Sequence, residues 1–159
     1  MALRVGIGYD IHRRAAGRAL VLGGVRFESE WGLDGHSDAD VLSHAIGDAV
    51  LGAAALGDLG QHFPPGDPEW RGISSIDLLA RIRGLLERAG GHVVNVDATL
   101  IAEAPKLAPA AAAIREHVAR ALGVEAAQVS VKATTHETLG AIGRGEGLAA
   151  MAVALVELP

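Results

Sequence analysis

The chain has 159 residues, enough for one domain with its own core; 50% are hydrophobic but 3% aromatic, so Ala, Val, Leu and Ile must build that core. A formal net charge of −5 excludes general nucleic-acid binding, which needs a basic footprint. The absence of cysteine excludes a disulfide framework, a thiolate nucleophile and cysteine-rich structural zinc.

The apolar run from Leu3 predicts a first strand over Val5 to Tyr9, followed directly by Asp10-Ile11-His12. Arg18 to Phe27, broken by Gly23-Gly24, reads as a short hairpin or bent strand. A first helix is expected from Ser37 or Asp38 to about Ala55, with Ser37-x-x-Asp40 resembling a capping box. Val41, Ala45, Ala49 and Gly52 give that helix a face of small residues suited to close packing. Gly57 to Gly72, rich in Gly, Pro and Asp, reads as a loop.

A second helix is expected over Ser75 to Ala89, with Ser74 as N-cap and Gly90-Gly91 as the stop. Val93 to Ala102 alternates as a half-buried strand, with Val94, Val96, Ala98 and Leu100 facing inward. Pro109 to Leu122 is an Ala-rich helix ended by Gly123. Val129 to Thr134 is a strand, Thr135 to Gly147 a Gly-rich loop or short helix, and Leu148 to Leu158 the final strand. This order predicts an α+β, two-layer sandwich with helices on one face of a mixed β-sheet. The apolar strand residues left on the other face predict cover by neighbouring subunits, hence an oligomer. The N-terminus lacks the pattern of a secretion signal and no window has the length of a membrane span, so a cytoplasmic protein without a membrane partner is expected.

Asp10 and His12, two apart in an extended segment, point to the same side. With His44 they offer two imidazoles and a carboxylate, a set that suits zinc with one position left open for chemistry. Asp40 and Asp48 share a helical face with His44, and either could orient that imidazole. His36-Ser37 at a helix start reads either as capping or as a phosphate seat. Ala102 to Leu107 can present backbone groups to a nucleobase, with Lys106 near a phosphate. Lys132, Thr134 and Thr135 suit phosphate oxygens, and Glu137 suits Mg²⁺ or Mn²⁺. Arg144 follows in Gly143 to Gly147, which lacks the Gly-Lys-Ser/Thr of a Walker loop. Together these clusters point to phosphoryl transfer on a nucleotide substrate.

Gly8-Tyr9-Asp10-Ile11-His12, His36-Ser37-Asp38-Ala39-Asp40-Val41, Gly52 to Gly60, Ala104-Pro105-Lys106-Leu107, Val131-Lys132-Ala133-Thr134-Thr135 and Gly143 to Gly147 carry a resemblance over nearly the whole length. The chain resembles the 2-C-methyl-D-erythritol 2,4-cyclodiphosphate synthase family of the non-mevalonate isoprenoid pathway. The resemblance implies a single synthase domain over residues 1–159 and an α+β homotrimer, its sheets packed together and its active sites between adjacent subunits. It implies a metal-dependent, CMP-releasing lyase acting on 4-diphosphocytidyl-2-C-methyl-D-erythritol 2-phosphate.

By the same resemblance, Asp10, His12 and His44 hold Zn²⁺, while Glu137 holds Mg²⁺ or Mn²⁺ with the substrate phosphates. His36 and Thr135 flank the reacting phosphates as catalytic residues. Asp58 binds the erythritol hydroxyls, and Ser37, Leu59, Gly60, His62 and Phe63 are further substrate contacts. Ala102, Ala104, Pro105, Lys106, Leu107, Ala108, Lys132 and Thr134 form the cytidine pocket, with Arg144 near the phosphate end. The chain departs from the family pattern at Pro65, where relatives usually carry Asp, so polyol binding rests more on Asp58, or on Asp67. It departs again at Ala141, where an aromatic is common at the mouth of the central trimer cavity.

Overall fold

A computed structural model describes residues 1–159. A five-stranded sheet runs in the order β4-β1-β7-β5-β6, formed by β1 (Ala2–Ala16), β4 (Trp31–Leu33), β5 (His92–Ile101), β6 (Val129–Thr134) and β7 (Gly147–Leu158). All pairs are antiparallel except β5 and β6. The parallel pair needs a crossover, and α4 (Ala111–Leu122) supplies it. The hairpin β2 (Leu20–Leu22) and β3 (Val25–Phe27) turns at Gly23-Gly24, as expected.

Helices α1 (Val41–Ala53), α3 (Ser75–Arg88) and α4 lie on one face of the sheet. Val41, Leu42, Ala45, Ile46, Ala49, Val50 and Leu51 of α1 are all fully buried, because this helix is enclosed between β1 and β7 on one side and α3 on the other. The other sheet face is bare: Val5, Ile7 and Tyr9 are 69%, 66% and 53% exposed. They lie beside Leu155, Val153 and Met151 across the β1–β7 ladder, which makes one continuous apolar strip.

Several boundaries differ from the sequence expectation. β1 extends far beyond Tyr9, because Arg13 pairs with Gly147 at one end and Ala2 with Leu158 at the other. α1 begins at Val41 rather than Ser37 or Asp38, and no capping box with Ser37 forms; Asp40 itself is the N-cap. Asp40 is fully buried and accepts from the Ser43 amide (3.0 Å) and hydroxyl (2.8 Å) and from the amides of Gly23 (2.9 Å) and Gly24 (2.8 Å). It therefore ties the β2–β3 hairpin to the start of α1. Burial and then the charge of Asp38 raise its pKa against the pull of these donors.

The loop after Gly57 contains the short helix α2 (Leu59–His62) and a 3₁₀ turn at Pro68–Trp70. α4 starts at Ala111, after a 3₁₀ turn over Ala108–Ala110. A short helix, α5 (Gly140–Gly143), lies within the Gly-rich stretch. A bulge between Val93 and Asn95 turns Val93 into the core in place of Val94.

The small-residue contact between α1 and β1 fixes the site. A Cβ at Gly8 would lie 1.9 Å from the Ala45 carbonyl oxygen and 2.8 Å from the Ala49 amide. A Cβ at Gly6 would lie 2.1 Å from the Ala49 carbonyl oxygen. Ala53 rather than the exposed Gly52 completes this helix face. Gly8→Ala must push α1, and with it His44, off β1. We expect this substitution to destabilise the fold by roughly 3 kcal/mol and to lower metal affinity in the molecules that still fold. Urea unfolding with a parallel zinc titration measures both; an unchanged midpoint would contradict the close contact.

Candidate active site

Asp10 and His12 both face the helix layer from β1, and His44 points back at them from the first turns of α1. The Asp10 Oδ2 atom lies 2.8 Å from His12 Nε2 and 3.0 Å from His44 Nδ1, and the two imidazole nitrogens are 3.2 Å apart. A tetrahedral ion with bonds of about 2.0–2.1 Å spaces its ligands ~3.3 Å apart, so these three atoms need to open by only a few tenths of an ångström. The three residues are close enough to hold a divalent metal, and their oxygen–nitrogen donor set suits one. No fourth protein ligand joins them, and a cavity of about 350 Å³ opens over the cluster.

The surroundings orient the ligands. His12 Nδ1 donates to the carbonyl of Asp34 (2.7 Å), which leaves Nε2 for the metal. His44 Nε2 lies 2.8 Å from the Ser75 hydroxyl and 3.2 Å from the Ser37 hydroxyl. Neither the Asp40 nor the Asp48 carboxylate hydrogen-bonds the His44 imidazole; the Asp40 carbonyl meets only the His44 amide (3.0 Å). Asp40 is committed to the hairpin, and Asp48 accepts from the Leu59 amide (2.8 Å), which anchors α2 beside the cavity. Burial is the main cause that raises the Asp48 pKa.

Burial works against the charge on Asp10, but hydrogen bonds and charge from His12 and His44 outweigh it and hold the carboxyl at about 2. Burial also opposes protonation of His12, yet Asp10 and the Asp34 carbonyl raise its pKa above 6.5. In the metal-free protein the His12 contribution to stability is therefore present below pH 6.5 and lost as pH rises through the raised value. The Asp10 contribution is present above pH 3.8 and lost as pH falls towards about 2. A metal must displace the His12 proton, so apparent affinity should start to fall, on acidification, above pH 6.5. Calorimetric zinc titrations in a pH series check this; affinity flat down to pH 6 would contradict it.

His36 and Ser37 line the same cavity, with Leu59, Gly60, Phe63 and Pro65. His36 Nε2 donates to the Asp67 carbonyl (3.0 Å). The Asp67 carboxylate instead accepts from the Glu69 amide (3.0 Å), so it serves the 3₁₀ turn. Asp58 caps α2 through the Gln61 amide (3.0 Å), and His62 donates to the Leu56 carbonyl (2.7 Å); neither side chain lines the cavity.

A second, separate cavity of about 560 Å³ is lined by Ala102, Pro105, Lys106, Leu107, Ala108, Lys132, Thr134 and Thr135. Ala104 lies in the same segment without lining it. The Lys132 ammonium is engaged by the Asp97 carboxylate, with both oxygens at 2.6 Å. Glu137 is exposed, and its amide donates to the Thr135 hydroxyl (3.1 Å). Arg144 pairs with Glu146 (2.8 Å). One chain thus brings His36 and Ser37 to the metal cluster and gathers the expected nucleotide residues at the other cavity.

Sequence reasoning missed three supporting groups. Arg18 donates to the carbonyls of Gly35 and Ser37 (both 2.9 Å), bracketing His36. Glu103 accepts from the amides of His136 (3.0 Å) and Thr138 (3.2 Å), clamping the turn that carries Glu137 and Thr138 at positive φ. Ser75 holds His44. Each acts across the fold, and no local pattern marks it.

A carboxylate and two imidazoles held open to a cavity form a candidate metal site on an α+β scaffold, and known proteins share that scaffold. The sequence profile of the YgbB family matches residues 3–157. The chain belongs to this family, that of the 2-C-methyl-D-erythritol 2,4-cyclodiphosphate synthases. It is 57% identical over 152 residues to the protein of that name from Symbiobacterium thermophilum, covering 96% of this chain and 97% of the relative. It is 57% identical over 155 residues to that from Syntrophomonas wolfei, covering 98% and 99%. Among solved structures, the bifunctional IspDF of Campylobacter jejuni matches at TM-score 0.95 and 36% identity, over 99% of this chain and 43% of that one. A CDP complex of IspF from Plasmodium falciparum matches at TM-score 0.86 and 32% identity, over 99% and 97%.

Proposed function

We propose that the chain, as a single synthase domain, converts 4-diphosphocytidyl-2-C-methyl-D-erythritol 2-phosphate to 2-C-methyl-D-erythritol 2,4-cyclodiphosphate and CMP, in the cytoplasmic supply of isoprenoid precursors. The observation that carries this reading is the open Asp10, His12 and His44 cluster in a chain more than half identical, end to end, to synthases of that name. Zinc suits this cluster, and Glu137 is the residue for Mg²⁺ or Mn²⁺. When bound, these cations reduce the repulsion between phosphates and polarise phosphorus.

The 2-phosphate is already an anionic nucleophile, so no side chain has to remove a proton. Its oxygen bonds to the β-phosphorus, the bond from that phosphorus to the α-phosphate bridging oxygen breaks, and CMP leaves with the electron pair. The protein's task is to fold the substrate so that attack is in line. His36, fixed through the Asp67 carbonyl, and Thr135 flank the reacting phosphates. Ser37, Leu59, Gly60 and Phe63 wall the erythritol end, with Asp58 and His62 on the same segment. Pro65 offers that end a side chain that cannot accept a hydrogen bond.

Ala102 to Ala108 and Lys132 to Thr135 receive the cytidine, with Arg144 towards the phosphates. The match to a CDP-bound relative supports this use of the second cavity. The two cavities are separate in one chain, and the bare apolar strip needs a partner; a homotrimer that packs these sheets together and joins one cavity of each kind between subunits answers both. Chromatographic assay of CMP release from this substrate, with and without chelator, tests the reading. Release that stops with chelator and returns with zinc is expected; no release with metal restored would leave a binding role.

A further inference from the structure

We propose that Ser75 and Asp38 are positioning residues that set the tautomer of the metal ligand His44, an inference that rests on reading Asp10, His12 and His44 as the metal site. Ser75 is the first residue of α3, is 1% exposed, and places its hydroxyl oxygen 2.8 Å from His44 Nε2. The same hydroxyl donates its proton to the Asp38 Oδ1 atom, and the Ser75 amide donates to Asp38 Oδ2 (3.0 Å). An ionised carboxylate only accepts, so the Ser75 proton is committed to Asp38. Towards His44 the hydroxyl can then only accept, and Nε2 must carry the hydrogen. That leaves Nδ1, turned to the cluster and 3.0 Å from Asp10 Oδ2, as the ring's metal-binding atom, where an ion replaces the hydrogen shared with that carboxylate.

Ser37 approaches the same Nε2 at 3.2 Å, and its oxygen also accepts from the Ala39 amide. Its proton has no fixed acceptor here, so it does not dictate the tautomer; the closer Ser75, polarised by Asp38, does. The series from carboxylate to hydroxyl to imidazole makes Nδ1 a better donor and fixes the ring plane, as carboxylates behind metal-bound histidines do directly. It also joins the start of α3 to the ligand on α1, across 31 residues of sequence between Ser75 and His44. The same α3 residue that Asp38 caps is thus the one that holds the ligand.

The test is binding of Co²⁺, followed by its ligand-field absorption, and of Zn²⁺, followed by chelator competition, on the full chain and its variants. Ser75→Ala should weaken metal binding about 10–100-fold and shift the cobalt absorption. Ser75→Thr and Ser75→Val share one shape and differ in the hydroxyl: Thr should stay near wild type in affinity and spectrum, and Val should fall with Ala. This pair carries the test if Ser75→Ala does not fold. Ala and Val variants that bind cobalt with wild-type affinity and spectrum would overturn the proposal. A wild-type chain that binds neither ion stoichiometrically would overturn the metal site itself and the proposal with it.

Discussion

His44→Ala should abolish CMP release while leaving the fold in place. Zinc sites with four ligands contribute about 10–16 kcal/mol, so one ligand is worth roughly 3 kcal/mol, about 100-fold or more in affinity. The loss in turnover should be larger, at least about 1,000-fold, because the remaining Asp10 and His12 cannot hold an ion in the geometry that polarises phosphorus. Folding should change little. Alanine favours a helix, and the fully buried Leu42, Ala45, Ile46 and Ala49 around position 44 are untouched. What is lost are the hydrogen bonds to Ser75, Ser37 and Asp10 at a partly open site, together roughly 1–2 kcal/mol, or a shift of about 2–8 °C in Tm. Calorimetry of the zinc-free variant and an assay with excess zinc separate these effects. Unchanged CMP release by His44→Ala would remove the metal cluster from the chemistry.

Ile7→Arg should cost almost nothing in the single chain and nearly everything in the assembly. Ile7 is 66% exposed on the sheet face away from the helices, so its replacement leaves the core intact. Within an apolar subunit interface the same arginine has no partner and must be desolvated, at a cost of several kcal/mol. In the proposed trimer the metal cavity of one subunit meets a neighbour's nucleotide cavity, so sedimentation should show wild type as a trimer and the variant as a monomer with turnover lost. Mixing two other variants gives the complementary result. His44→Ala leaves the nucleotide cavity intact, whereas Ala133→Trp fills it and leaves the metal cluster intact. Trimers reassembled from an equal mixture should recover roughly a quarter of wild-type turnover, since each site of the proposed trimer draws one half from each of two subunits. An Ile7→Arg monomer with full turnover, or a mixture with none, would contradict the shared site.

Much of this was legible in the chain. Alternation along the strands and the Gly23-Gly24, Gly90-Gly91 and Gly123 breaks place most elements, and the two-residue spacing of Asp10 and His12 correctly puts both on one face. What was not legible is non-local. β4 is three residues long with a glycine at its centre, and pairing with the end of β1, not propensity, makes it a strand. Asp40 looked like one end of a capping box and is instead a buried junction for four donors, two of them from a hairpin 16 and 17 residues earlier. Val93 and Val94 are equally apolar, and a bulge decides which is buried. The partner that orients His44 could not be read from its own helix, because Asp40 and Asp48 share its face yet serve the hairpin and α2. The division of the expected site into two cavities on one chain follows from the sheet, whose strand order sets β1 and β6 on either side of β7 and β5.

The most direct test of the central claim, that this chain cyclises its substrate rather than hydrolysing it, is phosphorus NMR of a reaction run with the purified protein, the CDP-methylerythritol 2-phosphate substrate, zinc and magnesium. CMP should appear together with two mutually coupled resonances of a cyclic diphosphate, and neither product should form when chelator is added. CMP accompanied by a linear diphosphate would show attack by water and contradict cyclisation.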